Sequence, residues 1–152
     1  MTVRAGETLA PLEIPVTRTL IVAGALASRD FQDVHHDAEA ARSKGSPDIF
    51  MNILTTNGLV GRYLTDRFGP ETVLRRLAIR LGAPNHHGDT LVLTGTVEEV
   101  APDTDGAEGA DRSGDGTGAR DVVTVRVVGV NGLGHHVTGT ATVVVPSSGG
   151  RP

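Results

Sequence analysis

Residues 46–70, SPDIFMNILTTNGLVGRYLTDRFGP, carry a full set of helix punctuation. Ser46 is a residue type that caps free N–H groups, Pro47 fits the first helical position, and Asp48 complements the positive end of the helix dipole. Gly69-Pro70 closes the segment. Ile49, Ile53, Val60 and Leu64 fall at helical spacing, and Phe50, Leu54 and Phe68 widen the apolar stripe over much of the circumference. About 22 residues at 1.5 Å each predict a rod of about 33 Å. Gly58 and Gly61 each cost about 1 kcal/mol relative to Ala, so their place inside the helix predicts a close approach of backbone from elsewhere. Such a helix must be wrapped.

The flanking chain supplies the wrapper. In residues 12–26, LEIPVTRTLIVAGAL, one parity holds Leu12, Ile14, Val16, Leu20, Val22 and Leu26, and the other Glu13, Thr17 and Thr19. That alternation predicts a half-buried strand bent at Pro15. Residues 28–37 read as a polar loop, and AEAARSKG (38–45) as a short helical turn ending at Gly45. After the helix, Val73, Leu77, Ile79 and Leu81 oppose Arg76 and Arg80, and TLVLTGTVEEV (90–100) alternates again. DVVTVRVVGV (121–130) and VTGTATVVV (137–145) flank the hairpin signal NGLG (131–134). Strand, polar loop, long helix, then four antiparallel strands predict an α+β domain. Its form is the hot-dog arrangement, an antiparallel sheet wrapped around one long central helix. The single domain spans 1–147. Its Gly/Asp-rich segment 102–120 is expected to be a mobile loop, and 148–152 a disordered tail.

Composition narrows the function. With three Phe, one Tyr and no Trp among 152 residues, the core must be aliphatic. A net charge of −4 gives no support to a nucleic-acid or anionic-membrane partner. The absence of cysteine excludes a disulfide, a thiolate metal site and a cysteine nucleophile. No secretory leader and no apolar run of about 20 residues are present, so a cytoplasmic protein is expected. Lys44 is the only lysine beside many arginines, as in GC-rich bacterial sequences.

Chemistry concentrates in Ser28–Asp37, SRDFQDVHHD, with two of the six histidines and three acidic residues. Asp30 and His35 are five residues apart in a loop able to turn both into one cleft. A carboxylate and an imidazole that share a water can take its proton at one site and supply a proton at another. Free N–H groups at the start of the following helix suit an oxygen that gains negative charge. An Asp and a His at this spacing also occur in loops without any catalytic role.

This stretch resembles the hydratase motif of the MaoC-like, (R)-specific enoyl-CoA hydratase family: glycine, Asp, any residue, Asn, Pro, an aliphatic residue, His, and Asp after one further position. Asp30, Val34, His35 and Asp37 match. Arg29 stands in place of the glycine, and Gln32 and Asp33 in place of Asn and Pro. Taken longer, ASRDFQDVHHD with KGSPDIFMNILTTNGLV resembles the small catalytic subunits of heteromeric members from actinobacterial steroid side-chain degradation. The resemblance implies hydration of a bulky, steroid side-chain enoyl-CoA, in a heterodimer or heterotetramer with a second MaoC-like subunit. It implies no cofactor, the CoA thioester being substrate. It assigns Asp30 as the base that activates water and His35 as the group that holds this water and helps deliver a proton to the α-carbon. The family's oxyanion donor, a backbone N–H at the start of the helix, falls on Asp48 or Ile49. Two other functions use related features: an acyl-CoA thioesterase on the same fold, and a non-catalytic subunit that shapes a partner's pocket. His86-His87 and His135-His136 complete three His-His pairs. Adjacent strand residues point to opposite faces, so such pairs chelate poorly; surface turns and no metal are expected.

Overall fold

The computed structural model describes residues 2–104 and 119–147. Most of the predicted mobile loop and the whole predicted tail lie outside the described residues. In chain order the elements are β1 (Thr8–Pro15), α1 (Arg18–Ala27), a 3-10 turn (Asp33–His35), α2 (Ala38–Ser43), α3 (Ile53–Phe68), β2 (Val73–Leu81), β3 (Thr90–Pro102), β4 (Arg120–Asn131) and β5 (Gly134–Pro146). The five strands form one antiparallel sheet in the order β1-β3-β4-β5-β2. Its inner face carries Leu91, Leu93 and Val97 from β3, Val123, Val125 and Val127 from β4, and Ala141, Val143 and Val145 from β5. These side chains form one cluster with Val60, Tyr63 and Leu64 of α3. The sheet therefore wraps α3, as the hot-dog reading expects. Each fully buried aliphatic side chain contributes about 2 kcal/mol, which is how a core poor in aromatics suffices.

Three expectations need correction. Residues 18–27 form a helix, not the continuation of a strand. The Thr17 hydroxyl caps it by accepting the Leu20 N–H at 3.0 Å, and Ile21 and Ala25, one turn apart, are the residues it buries. The alternation read through Leu20, Val22 and Leu26 was accidental, since Leu26 is left exposed. The central helix is also shorter. It starts at Ile53 with Asn52 as N-cap, and its 16 residues span about 24 Å. The letters Ser46, Pro47 and Asp48 do not cap it; residues 49–51 run extended beside 85–86, through a bridge between Phe50 and His86 and a bond from Met51 N–H to Asn85 O.

The third correction concerns the glycines. A Cβ on Gly58 would meet nothing within 4 Å, and one on Gly61 only Leu74 at 3.8 Å. The close approach belongs instead to Gly24 on α1, where a Cβ would lie 2.8 Å from the Thr55 Cγ2 of α3. The Thr55 side chain of α3 thus packs directly on the α1 backbone at this point. Gly24→Ala forces them apart and is expected to destabilise the protein by about 1–3 kcal/mol, read as a lowered denaturant midpoint at unchanged m-value. A midpoint equal to the parent's would show that the crossing has slack.

Candidate active site

The geometry of Asp30 begins with the end of α1. Its N–H donates to Ala25 O at 2.9 Å, and Ser28 Oγ donates to Gly24 O at 2.7 Å, folding the chain back over the helix terminus. Arg29 makes the reversal with φ = 57°, the left-handed region where a non-glycine residue is held at a cost of about 1 kcal/mol. This is the position at which the family motif has glycine. The carboxylate that follows receives Asn52 Nδ2–H on Oδ2 at 3.0 Å and the Gln32 N–H on Oδ1 at 3.4 Å.

His35 closes the 3-10 turn and is buried. Its Nδ1 lies 2.7 Å from Phe50 O. A carbonyl only accepts, so Nδ1 carries the proton and donates. In the neutral ring Nε2 then presents a lone pair, and it faces Asp30 Oδ2 at 3.4 Å. The sequence-predicted pair is brought together. Phe50 is held in turn by the bridge to His86, so a neighbouring loop fixes the carbonyl that sets the His35 tautomer.

Asn52 is the residue that sequence reasoning missed. It is 2% exposed. Its Oδ1 accepts the Thr55 N–H at 2.9 Å as the N-cap of α3, while Nδ2 donates to Asp30 Oδ2 and to Ser28 Oγ at 2.9 Å. One amide thus starts the central helix and holds the carboxylate. The Asn52 donor is the main reason why Asp30 stays below the ordinary carboxylate pKa; burial opposes it, and the Gln32 N–H and the nearby His35 add smaller effects in the same direction as Asn52. An Asn three residues before Thr55 and ahead of an apolar run is an N-cap signal. The Ser46-Pro47-Asp48 triplet outcompetes it on the page.

Asp48 and Ile49 do not stand at the helix start and are corrected as helix-terminal donors. The Asp48 carboxylate is gripped by Arg18 at 2.8 and 3.0 Å, with His87 at 3.3 Å and Arg42 at 3.5 Å, and Arg18 chiefly drives its pKa well below the carboxylate range. The Ile49 N–H is already donated to the same carboxylate at 2.7 Å. Of the first turn of α3, Thr55 N–H goes to Asn52 Oδ1 and Thr56 N–H to Asn52 O, which leaves the amides of Ile53 and Leu54 without acceptors inside the helix.

Of the other histidines, His36 Nε2 lies 3.4 Å from Phe31 O across the loop and His87 joins Asp48. His136, expected at the surface, is 1% exposed. Burial holds its imidazole below the ordinary histidine pKa. The unfolded chain therefore binds a proton that the folded chain refuses. This contribution to stability is complete above about pH 6.5 and is lost as pH falls from there through the folded value. His136→Leu should accordingly flatten the fall in Tm measured from about pH 7 to about pH 5; an unchanged slope would place that proton uptake elsewhere. Among the described residues no three His, Asp or Glu side chains gather as a metal site. No helix among them is long and apolar enough to cross a membrane.

The family description "MaoC like domain" matches residues 2–114. The chain is similar to the 3-oxo-4,17-pregnadiene-20-carboxyl-CoA hydratase beta subunit of Mycobacterium tuberculosis, with 43% identity over 143 residues, 94% of this chain and 97% of that protein. Among solved structures it is similar to the ChsH1–ChsH2 complex from Mycobacterium tuberculosis, with 43% identity, a TM-score of 0.77, and coverage of 95% of this chain and 99% of that one. The R-hydratase PhaJ1 from Pseudomonas aeruginosa shares the fold, with 20% identity, a TM-score of 0.75, and coverage of 96% and 84%.

Proposed function

The chain belongs to the MaoC-like domain family, and from that premise we propose that it is the catalytic subunit of a heteromeric hydratase, adding water across the double bond of a bulky, steroid side-chain enoyl-CoA thioester. One observation carries the chemistry: Asp30 Oδ2 and His35 Nε2 face each other at 3.4 Å while the other ring nitrogen is tied to Phe50 O. Two acceptors in that position repel unless a donor lies between or beside them. A water giving one O–H to each satisfies both and keeps an oxygen lone pair for the β-carbon.

In the reaction the water oxygen adds to the β-carbon as Asp30 takes its proton, and electron density moves to the thioester oxygen. The acceptor-free amides of Ile53 and Leu54 supply partial positive charge at the start of α3 for that oxygen. Asp30 then passes the proton to His35, which returns it to the α-carbon, so one H and one OH from the same water are added. The similarity to the steroid hydratase subunit and to the two-protein complex supports the proposed substrate size and the partner. Leu26 and Phe31, on either side of Asp30 in the chain, and Ile53 and Leu54, which follow Asn52, are exposed apolar side chains that suit a large apolar acyl group or a covering subunit.

The test is to co-express the chain with a MaoC-like partner and supply 3-oxo-4,17-pregnadiene-20-carboxyl-CoA. Loss of enoyl absorbance without free thiol is expected. Thiol release would mean hydrolysis of the thioester instead. Hydration that persists when Asp30 and His35 are both replaced would reduce the chain to a pocket-shaping subunit.

A further inference from the structure

The buried polar residues of the described chain are His35, Asn52, Thr56, Asn85 and His136. In a core otherwise aliphatic, each needs a reason. His35 and Asn52 belong to the site, and Asn85 holds residue 51 through its backbone carbonyl. Thr56 and His136 hydrogen-bond to neither Asp30 nor His35, yet Thr56 lies one helical turn beyond Asn52. His136 Nδ1 lies 2.7 Å from Ala83 O and must donate to it, so neutral Nε2 accepts the Thr56 hydroxyl at 2.9 Å. Thr56 Oγ1 also lies 3.3 Å from Asn52 O, which the Thr56 N–H already reaches at 3.2 Å. A hydroxyl has one hydrogen, and the shorter bond directs it to His136. The path runs from the Ala83 carbonyl through His136 and Thr56 to the turn that presents Asn52, and from Asn52 Nδ2 to Asp30.

We infer that His136 and Thr56 are positioning residues: β5 clamps the first turn of α3 through them, fixing where Asn52 aims its N–H at Asp30 and where the Ile53 and Leu54 amides stand. Packing by itself needs no polar pair here, because a Leu and a Val of similar volume would fill the same space without desolvating a hydroxyl and an imidazole. What the pair adds is a single rotation and depth for that turn. Hydrogen bonds fix a turn directionally, while apolar contacts tolerate sliding.

This inference deepens the hydratase reading and rests on it, so the experiment has one arm without catalysis. Three variants are compared in the assembled complex: Thr56→Ser, Thr56→Val, and Thr56→Val with His136→Leu. The double variant removes both polar partners together and takes a donor only from the part-buried Ala83 carbonyl, so its Tm should rise from that of Thr56→Val toward the parent's. With 3-oxo-4,17-pregnadiene-20-carboxyl-CoA, Thr56→Ser is expected to keep kcat within about 3-fold. The double variant is expected to lose about 10-fold in kcat with KM little changed. Its acid limb should move upward as the Asn52 bond to Asp30 loosens. Amide hydrogen exchange over residues 53–56, measured without substrate, should accelerate in the double variant at matched Tm. If kcat and exchange both recover along with Tm, the pair is only structural and the inference is overturned. If exchange accelerates but Asp30→Asn also leaves hydration intact, the clamp stands and the hydratase assignment of Asp30 is what fails.

Discussion

Asp30→Asn is expected to lower kcat for hydration about 10³-fold, within the range that one general base supplies, while Tm and assembly stay near the parent's. The substitution is nearly isosteric. The side-chain oxygen kept at the Oδ2 position still accepts Asn52 Nδ2–H and still faces His35 Nε2, while the new NH2 falls at the Oδ1 position, where it gives up only the long 3.4 Å bond from Gln32 N–H. The loop therefore keeps its shortest bond to this side chain, and the main loss is the basicity. Because the parental carboxyl is held below the ordinary carboxylate range, it is ionised throughout the neutral and mildly acidic region, and the acid limb assigned to it lies low. Its stability contribution follows the same sign: present above the unfolded carboxylate value of 3.8, lost as pH falls through the folded value. Turnover within about 3-fold of the parent would remove Asp30 from the chemistry.

The second large effect belongs to Asn52→Asp. The replacement retains an oxygen to cap the Thr55 N–H, so the helix start is preserved; what it removes is the N–H on Asp30. It also sets a second carboxylate where Nδ2 now lies 3.0 Å from Asp30 Oδ2. Two carboxylates at that separation share a proton and titrate as a pair with one apparent pKa raised. A fall in kcat of about 10²-fold at neutral pH is expected, with the acid limb of kcat/KM moved up by about one pH unit or more. Asn52→Ser separates the two roles, since it keeps a cap and adds no charge; it should cost less activity. An acid limb that stays in place in Asn52→Asp would show that the amide does not govern the base.

What the sequence shows of this molecule and what it hides divide along a physical line. β3, β4 and β5 were legible because each has one face on the core, so burial writes period two directly into Leu91-Leu93 and Val123-Val125-Val127. Asp30 and His35 were legible because five residues of loop hold them, and local spacing is visible in one dimension. The segment 18–27 was misread since α1 buries only Ile21 and Ala25; a helix with so narrow a contact leaves its other apolar residues free to mimic alternation. The start of α3 was misplaced because Asp48 looked like a helix-dipole partner, whereas a guanidinium 30 positions earlier claims it. Asn52 left a local N-cap signal that Ser46-Pro47-Asp48 obscured, and its second role, the bond to Asp30, spans 22 positions. Thr56 and His136 escaped because their bond joins residues 80 positions apart, and composition leaves no trace of that.

The two free margins of the sheet, β1 and β2, are chemically unequal. Both edge ladders slip once, between Leu9 and Leu12 in β1 and between Leu74 and Arg76 in β2, but only β1 also carries prolines, Pro11 and Pro15, which lack a donor. β2 has no proline in Val73–Leu81 and leaves Val73 and Leu74 open to solvent. A strand added from another chain would therefore meet positions where proline removes the donor at β1 and no such position at β2. Two copies joined through β2 would use up that side on both and turn a proline-bearing margin outward. Growth by such a route would stop at a pair, short of the open-ended stacking that exposed strands invite.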